Sequence, residues 1–358
     1  MDRALPARDR NDSDQRLVQE PLRNGTATRL GWVDTARGIG IILVVQGHVW
    51  RGLDSSALIS SPAVFKVIDG LVYAFHMPFL FLVSGLFFHR SVISSPVGKF
   101  IRSRLERLIW PLIIWTWIFF LFKIAAGSLA NAPMNWAEFP FIPLPPREQF
   151  WFLWALFLMQ IAILGFRPLL VRESLATTAW ILIAGLALAL YIVPIDLTEI
   201  GPWVVGALIH APYFVLGAII GRSKDMHVGP LLGALAFAVF IAVQVANQVS
   251  GVVFDVASLS ALLIGIALSL SLLVAVKALD SNGSDHPLLS ALRFLGQASL
   301  AIYVAHVIFA AGARTALKVA GIDNVWVHLA IGDAIGIVGP VVLYLFALRL
   351  GRTKLFGF

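Results

Sequence analysis

About ten apolar stretches of roughly 20 residues follow one another along the chain, and this series constrains the fold more than any other feature. They lie near residues 33–51, 66–88, 107–126, 149–166, 175–193, 203–221, 229–248, 257–279, 291–312 and 326–348. Of the 358 residues, 59% are hydrophobic and 13% are charged, whereas soluble domains average about 25% charged. The sequence therefore predicts an all-α fold, a polytopic membrane bundle of about ten transmembrane helices.

The distribution of Lys and Arg predicts how this bundle is oriented. If the N-terminus is cytoplasmic, that side carries 20 Lys and Arg residues. The opposite side then carries only Arg51, Lys66, Lys123, Arg147, Arg314 and Lys318. Cytoplasmic loops are enriched in Lys and Arg, so we expect both termini to be cytoplasmic. The same bias accounts for the formal charge of +7, and no nucleic acid partner is expected.

Composition also divides the chain into segments. Residues 1–30 are rich in charge and have no apolar core, which predicts a disordered cytoplasmic tail rather than a signal peptide. Residues 31–350 form the predicted transmembrane domain, and residues 351–358 a short cytoplasmic C-terminus. The segment 127–147 is rich in proline and aromatic residues, which suits an ordered lid or rim. The chain has no cysteine, which excludes disulfides, thiolate metal sites and a cysteine acyl-enzyme.

The first apolar stretch contains ionisable residues, which are costly inside a membrane and therefore indicate function. Helical spacing places five of its residues on one stripe, Asp34, Arg37, Ile41, Val44 and His48. Arginine suits an anionic donor near the inner face, and histidine can accept a proton from a hydroxyl. In the alternative interpretation, Arg37 reaches the lipid headgroups while paired with Asp34, and His48 is only an interfacial polar cap.

Other polar residues stand in or beside later stretches. His76 precedes Pro78, which frees a backbone carbonyl that the imidazole could bind, although a lone buried histidine is often a packing residue. Arg104 and Arg107 form either a cradle for phosphates or ordinary positive-inside charge. His306, with Tyr303 one turn earlier, lines a site or makes an interhelical hydrogen bond. Trp151 and Trp154 are typical of an interfacial aromatic belt.

Five segments together resemble the acyltransferase 3 family of integral membrane O-acyltransferases, and within it the fucose 4-O-acetylase-like branch. They are WVDTARGIGIILVVQGH, FHMPFLFLVSGLFF, RLERLIWP, FWFLWALF and SLAIYVAH, in family order over about residues 31–350. The first contains Arg37 and His48 at the family's Arg-x10-His spacing.

The resemblance implies a multi-pass protein of the bacterial inner membrane that modifies polysaccharide by O-acetylation. It would transfer acetyl from cytoplasmic acetyl-CoA to a sugar hydroxyl of a surface or exported glycan or its lipid-linked precursor. No metal is expected, membrane lipid surrounds the bundle, and an oligomer is compatible with the sequence. The implied catalytic residues are His48, Asp34 and His76.

The resemblance also assigns binding residues. Arg37, Arg104 and Arg107 would bind the acyl-CoA, and Trp151, Tyr303 and His306 would bind the acceptor.

Two other classes of protein stay open at the level of sequence. A transporter or flippase for an anionic or glycan solute also carries intramembrane arginine and histidine, but matched broken helices in an inverted repeat are not found. A membrane scaffold without catalysis explains neither the stripe nor His76.

Overall fold

A computed structural model describes residues 31–193, 201, 203–223, 228–250, 258–280 and 286–358 of the chain. The predicted disordered tail, residues 1–30, lies outside the described residues. The described part is helical, without a β-strand. Its α-helices, in chain order, are α1 (Gly31–Asp54), α2 (Pro62–Tyr73), α3 (His76–Gly85), α4 (Phe88–Ser94), α5 (Val97–Arg104), α6 (Trp110–Ala126), α7 (Trp151–Leu164), α8 (Arg167–Leu170), α9 (Glu173–Ile192), α10 (Val205–Arg222), α11 (Pro230–Ser250), α12 (Leu259–Asp280), α13 (Pro287–Gln297), α14 (Ser299–Val319) and α15 (Val325–Arg349).

Eight helical segments of the described residues are long and apolar enough to cross a membrane. They are Pro62–Ser94, Val97–Leu129, Glu173–Ile192, Val205–Arg222, Pro230–Ser250, Leu259–Asp280, Ser299–Val319 and Val325–Arg349. The segment Glu148–Leu164 is apolar but shorter. Helix α1 has 24 residues, but its polar side chains keep it outside the group of eight. The predicted polytopic helical membrane bundle is confirmed, with eight candidate spans among the described residues. The predicted spans 33–51 and 149–166 fall on α1, which is less apolar, and on α7, which is shorter.

The outward faces of the bundle show which solvent it needs. On α11, Leu231, Phe237 and Val249 expose half or more of their surface. Large apolar side chains exposed over whole helices would cause aggregation in water, but lipid tails solvate them. Several polar side chains lie instead in the interior, among them Asp34, His76 and His306.

Two segments, one span and one loop, differ from the sequence prediction. The predicted span 291–312 begins inside α13, an amphipathic helix that ends at Gln297, so the apolar crossing segment is α14. Arg314 and Lys318, which the charge count placed in a loop, therefore lie on the last turns of α14. Residues 89–107, predicted as a loop, form most of α4, α5 and part of a π-helix.

The segment 62–94 is a broken span, and Pro78 explains the first break. Proline has no N–H and its ring collides with the carbonyl of the residue four positions earlier, here Ala74. Helix α2 accordingly ends at Tyr73, and α3 begins at His76. The carbonyl of Val72 accepts a hydrogen bond from the backbone N–H of Phe75 at 3.4 Å, and the imidazole Nδ1 of His76 lies 3.0 Å from the same oxygen. The carbonyl that His76 binds is therefore that of Val72 and not that of Ala74, which stands four positions before Pro78.

A second irregularity precedes α6. Residues Leu105–Ile109 form one turn of π-helix, in which the N–H of Trp110 bonds to the carbonyl of Leu105. Pro111 follows directly, at the start of α6. The wider turn relieves the conflict between the proline ring and the preceding carbonyl. It also turns Arg107 away from the neighbouring helices, where its side chain is exposed.

Helices α3 and α10 pack at very short range. A Cβ added to Gly85 would collide with the backbone of Phe214, and one added to Gly217 would collide with the carbonyl of Leu82. Small residues at such crossings let backbones approach closely, which is the main source of helix association in lipid. This contact fixes the position of His76 on α3 relative to α10.

The first turns of α1 are held by a buried polar network. Thr35 donates a hydrogen bond of 2.5 Å to the carboxylate of Asp280, at the end of α12. Arg293 of α13 binds the same carboxylate with two nitrogens. A buried charge is tolerated when it is paired and hydrogen-bonded, so this network ties the polar start of α1 to α12 and α13.

Candidate active site

The polar stripe of α1 separates into two ends in the structure. Asp34, Ile41 and Val44 are almost fully buried, and Arg37 pairs with Asp34 at 3.4 Å while a third of its side chain stays exposed. Asp34 and His48 are fourteen residues apart, about 21 Å along a helix. Asp34 therefore stands with Arg37, and His48 occupies the other end alone.

His48 lines a cavity of about 690 Å³. The walls come from the last turns of α1, from α6, from residues 129–132 and from α14. Asn131 bonds to the carbonyl of Gly52 and accepts from Ser56, so the segment after α6 is tied across this end of α1. This segment forms the rim that its composition predicts. Arg37, Arg104 and Arg107 are not among the lining residues.

The ring of His306 lies beside that of His48. The ring centroids are 5.0 Å apart, and the planes meet at 65°. His306 is fully buried on α14. Its Nδ1 lies 3.0 Å from the carbonyl of Ile302 and 2.8 Å from that of Tyr303. Carbonyls only accept hydrogen bonds, so Nδ1 carries the proton, and Nε2 is left as an acceptor without a partner among the described residues.

Three buried histidines share one local geometry. His76, His210 and His306 each direct Nδ1 to the carbonyl of the residue four positions earlier, at 2.9 to 3.0 Å. Such a bond fixes both the ring orientation and the tautomer, since the proton must stay on Nδ1. All three rings therefore present Nε2 as the free nitrogen.

Ring contacts connect these histidines with His48 in a chain through the interior. His210 contacts Trp151, which is linked through Phe152 and Tyr303 to His306 and so to His48. A Cβ added to Gly47, next to His48, would lie 3.1 Å from the ring of Tyr73. His76 also contacts the ring of Tyr73 at 4.5 Å. The structure thus brings together His48, His76 and His306, three of the residues that sequence reasoning singles out.

His210 is a residue that sequence reasoning misses, because its place in the span 203–221 gives no signal alone. It is buried on α10, stacks on Phe81 at 4.6 Å and contacts Trp151 at 5.2 Å. One signal was present: His210 precedes Pro212 with the same spacing by which His76 precedes Pro78. Both histidines stand where a proline disturbs a helix and frees backbone carbonyls.

The predicted acceptor residues lie around this chain. Trp151 packs on His210 and Phe81 and is only partly exposed, so it points inward rather than forming a belt. The hydroxyl of Tyr303 donates to the carbonyl of Gln149, which ties α14 to the start of α7. Trp154 donates to the carbonyl of Trp203 at 2.7 Å and lies farther out.

The predicted donor-binding residues meet at a different element, the short helix α4. Arg37 lies 5.7 Å from the ring of Phe87, and Arg104 donates to the hydroxyl of Ser91. Phe87 and Ser91 are four positions apart and so share a face. The Nε of Arg104 is buried without a partner among the described residues. Arg107 is exposed on the π-helix, and no contact brings it to this group.

The described residues contain no group of three or more His, Asp or Glu side chains arranged to hold a metal ion. The histidines are spread along a chain, and their Nδ1 atoms already bind backbone carbonyls. The expectation that no metal takes part stays a prediction.

Fold and site together define a class, an integral membrane protein with titratable side chains in its interior and a cavity that one of them, His48, lines. The family described as an acyltransferase domain matches residues 30–345. The chain therefore belongs to the acyltransferase 3 family and is a membrane acyltransferase. No curated protein and no solved structure matches it significantly.

Proposed function

We propose that the protein is an O-acetyltransferase of the bacterial inner membrane, with both termini in the cytoplasm. It transfers acetyl from cytoplasmic acetyl-CoA to a sugar hydroxyl of a surface or exported glycan or its lipid-linked precursor, as in the fucose 4-O-acetylase-like branch. The observation that carries the proposal is the position of His48, which lines the cavity while its ring lies against His306.

The chemistry follows from this placement. A neutral imidazole of His48 takes the proton of the sugar hydroxyl as the hydroxyl oxygen attacks the thioester carbonyl carbon. A C–O bond forms, the C–S bond breaks, and the proton on His48 passes to the CoA thiolate. General acid–base catalysis of this kind contributes typically about 10²–10⁴-fold.

His306 supports the same role as a positioning residue. Its Nε2 carries a lone pair beside the ring of His48. An N–H of the His48 ring can donate a hydrogen bond to this lone pair. A bond of this kind would hold the His48 proton on one nitrogen and leave the other free to act as the base.

The donor is held at the other end of α1 in this proposal. Arg37 and Arg104 flank one face of α4, and guanidinium groups bind phosphates in a fork geometry that suits CoA. Buried Ile41 and Val44 lie between Arg37 and His48 in this conformation. Turnover therefore requires the packing around these two side chains to open for the pantetheine arm.

The test is acetyl transfer by the purified full-length protein in lipid nanodiscs, with radiolabelled acetyl-CoA and glycan from the producing cells. We expect His48→Ala to lower transfer by at least a hundredfold. His286→Asn is the matched control, because His286 is exposed and caps α13, a role that asparagine fills well. Full activity of His48→Ala would remove His48 from catalysis and with it the proposal.

A further inference from the structure

The cavity beside His48 carries an excess of positive charge. The described residues in its walls include the cations Arg51, Lys123 and Arg314 but a single carboxylate, Glu148. These are three of the six Lys and Arg residues that the sequence assigns to the side of the membrane opposite the cytoplasm. Positive-inside topology explains why this side has few cations, but it does not explain why half of them surround one cavity.

Two of these cations are already neutralised by carboxylates. Arg51 binds Asp69 with two nitrogens, at 2.7 and 2.9 Å, and lies over the ring of Tyr73. Lys123 pairs with Glu148 at 3.2 Å. Their charges are therefore satisfied within the protein.

Arg314 differs from both. It is partly buried on α14, and no hydrogen bond or ion pair joins its guanidinium to any residue that the structure describes. A partly desolvated guanidinium without an acceptor is unfavourable, because arginine keeps its charge and five donors at every physiological pH. Such a group is typical of a site whose partner is a ligand.

The position of Arg314 links it to the proposed chemistry. A Cβ added to Gly52 would lie 2.5 Å from Nη1 of Arg314, so the guanidinium rests on the backbone of α1 at Gly52. Gly52 follows His48 by four residues, one helical turn and about 6 Å along the axis. Arg314 and His48 line the same cavity, so one ligand in it can contact both side chains.

We propose that Arg314 binds the carboxylate or phosphate of an anionic acceptor sugar and thereby presents a hydroxyl of that sugar to His48. The acceptor class is then an acidic glycan, with uronic acid or phosphosugar residues. This inference rests on the proposed acetyl transfer, whose acceptor it defines.

The test compares sugars that differ only in charge. Binding of p-nitrophenyl β-glucuronide, p-nitrophenyl β-glucoside, glucose 6-phosphate and glucose to the full-length protein is measured in phosphatidylcholine nanodiscs. Transfer from labelled acetyl-CoA to the same sugars is measured in parallel. We expect at least one charged sugar to bind and react better than its neutral partner.

The variants assign this preference to Arg314. A charge-assisted hydrogen bond corresponds to about tenfold to a hundredfold in affinity, so Arg314→Gln should reduce the preference by that factor. Lys318→Gln is the matched control, because it removes the same charge one turn later on α14 from an exposed residue outside the cavity. It should keep the preference.

The outcomes separate the two proposals. Equal binding of charged and neutral sugars, binding of none, or an unchanged preference in Arg314→Gln overturns the acidic-acceptor proposal, even if neutral sugars are acetylated. Binding of the charged sugar without transfer to any sugar keeps the Arg314 site and counts against acetyl transfer. Loss of the preference when phosphatidylglycerol is added shows that the site holds a lipid headgroup, and it also overturns the proposal.

Discussion

At the scale of single residues, the unpartnered Nε2 of His306 leads to a specific prediction. His306→Phe keeps the size of a buried ring but removes the lone pair next to His48. We expect kcat for acetyl transfer to fall about tenfold, the value of one neutral hydrogen bond, with the KM for acetyl-CoA unchanged.

His306→Gln is the informative companion variant, because its amide oxygen can accept a hydrogen bond. Partial recovery of kcat in His306→Gln, with both variants equally stable in a thermal unfolding assay, identifies a positioning role. If both variants lose activity equally, the ring matters only for packing.

The sequence identified His48, His76 and His306 because an ionisable group inside an apolar stretch has a high free-energy cost in the membrane and therefore indicates a function. It could not identify the partners of these groups. The pairing of His48 with His306 joins α1 to α14, and no local pattern encodes which distant helix lies beside which. Arg314 shows the same limit: it looked like an ordinary loop cation until the structure placed it on α14 against Gly52.

At the scale of helices, the close crossing of α3 and α10 predicts an asymmetric response to alanine. Gly217→Ala should destabilise the protein strongly, because the new methyl group meets the rigid backbone of Leu82 rather than a movable side chain. Overpacking of this kind costs typically about 1–3 kcal/mol. The measurement is the unfolding temperature in detergent.

Gly185→Ala on α9 is the matched control, since a Cβ there meets nothing within 4 Å. Removing glycine from an unobstructed helix position should leave the unfolding temperature unchanged or raise it. Equal destabilisation by both substitutions would contradict the close crossing of α3 and α10.

The break between α2 and α3 gives a second prediction at this scale. Pro78→Ala restores the backbone donor and lets the helix continue through residues 74 and 75. A continuous helix would turn the ring of His76 away from its present position beside Tyr73. We expect lower acetyl transfer with unchanged or higher thermal stability, and unchanged transfer would show that the anchored ring is dispensable.

The length of the apolar stretches predicted the existence and order of the helices well, because about 20 apolar residues in a row have few alternatives to a helix in a bilayer. It failed at α13, an amphipathic helix that directly precedes the crossing helix α14. The apolar residues of α13 shifted the predicted span toward the N-terminus. It also failed at residues 89–107, since short helices that contain polar residues resemble loops in composition. Both errors arise where the apolar signal fades.

At the scale of the whole molecule, the predicted orientation can be tested because the chain has no native cysteine. Ser60 and Ser94 are exposed, and the segment Pro62–Ser94 that joins them crosses the membrane once. With cytoplasmic termini, Ser60→Cys should react with a membrane-impermeant maleimide in intact cells, and Ser94→Cys only after permeabilisation. The reverse pattern would invert the topology and move the His48 cavity to the cytoplasmic face.

The modest hydropathy of α1 has a consequence for how the protein is made. Ionisable residues within a span oppose its insertion, and the nascent α1 carries several before the helices that it packs against have been made. Thr35 can bond to Asp280 only after 245 further residues have been synthesised, and His48 can contact His306 only after α14 has been made. Biogenesis must therefore retain the first helix near the insertion machinery until synthesis is almost complete, and a chain truncated after residue 250 should be degraded rather than accumulate.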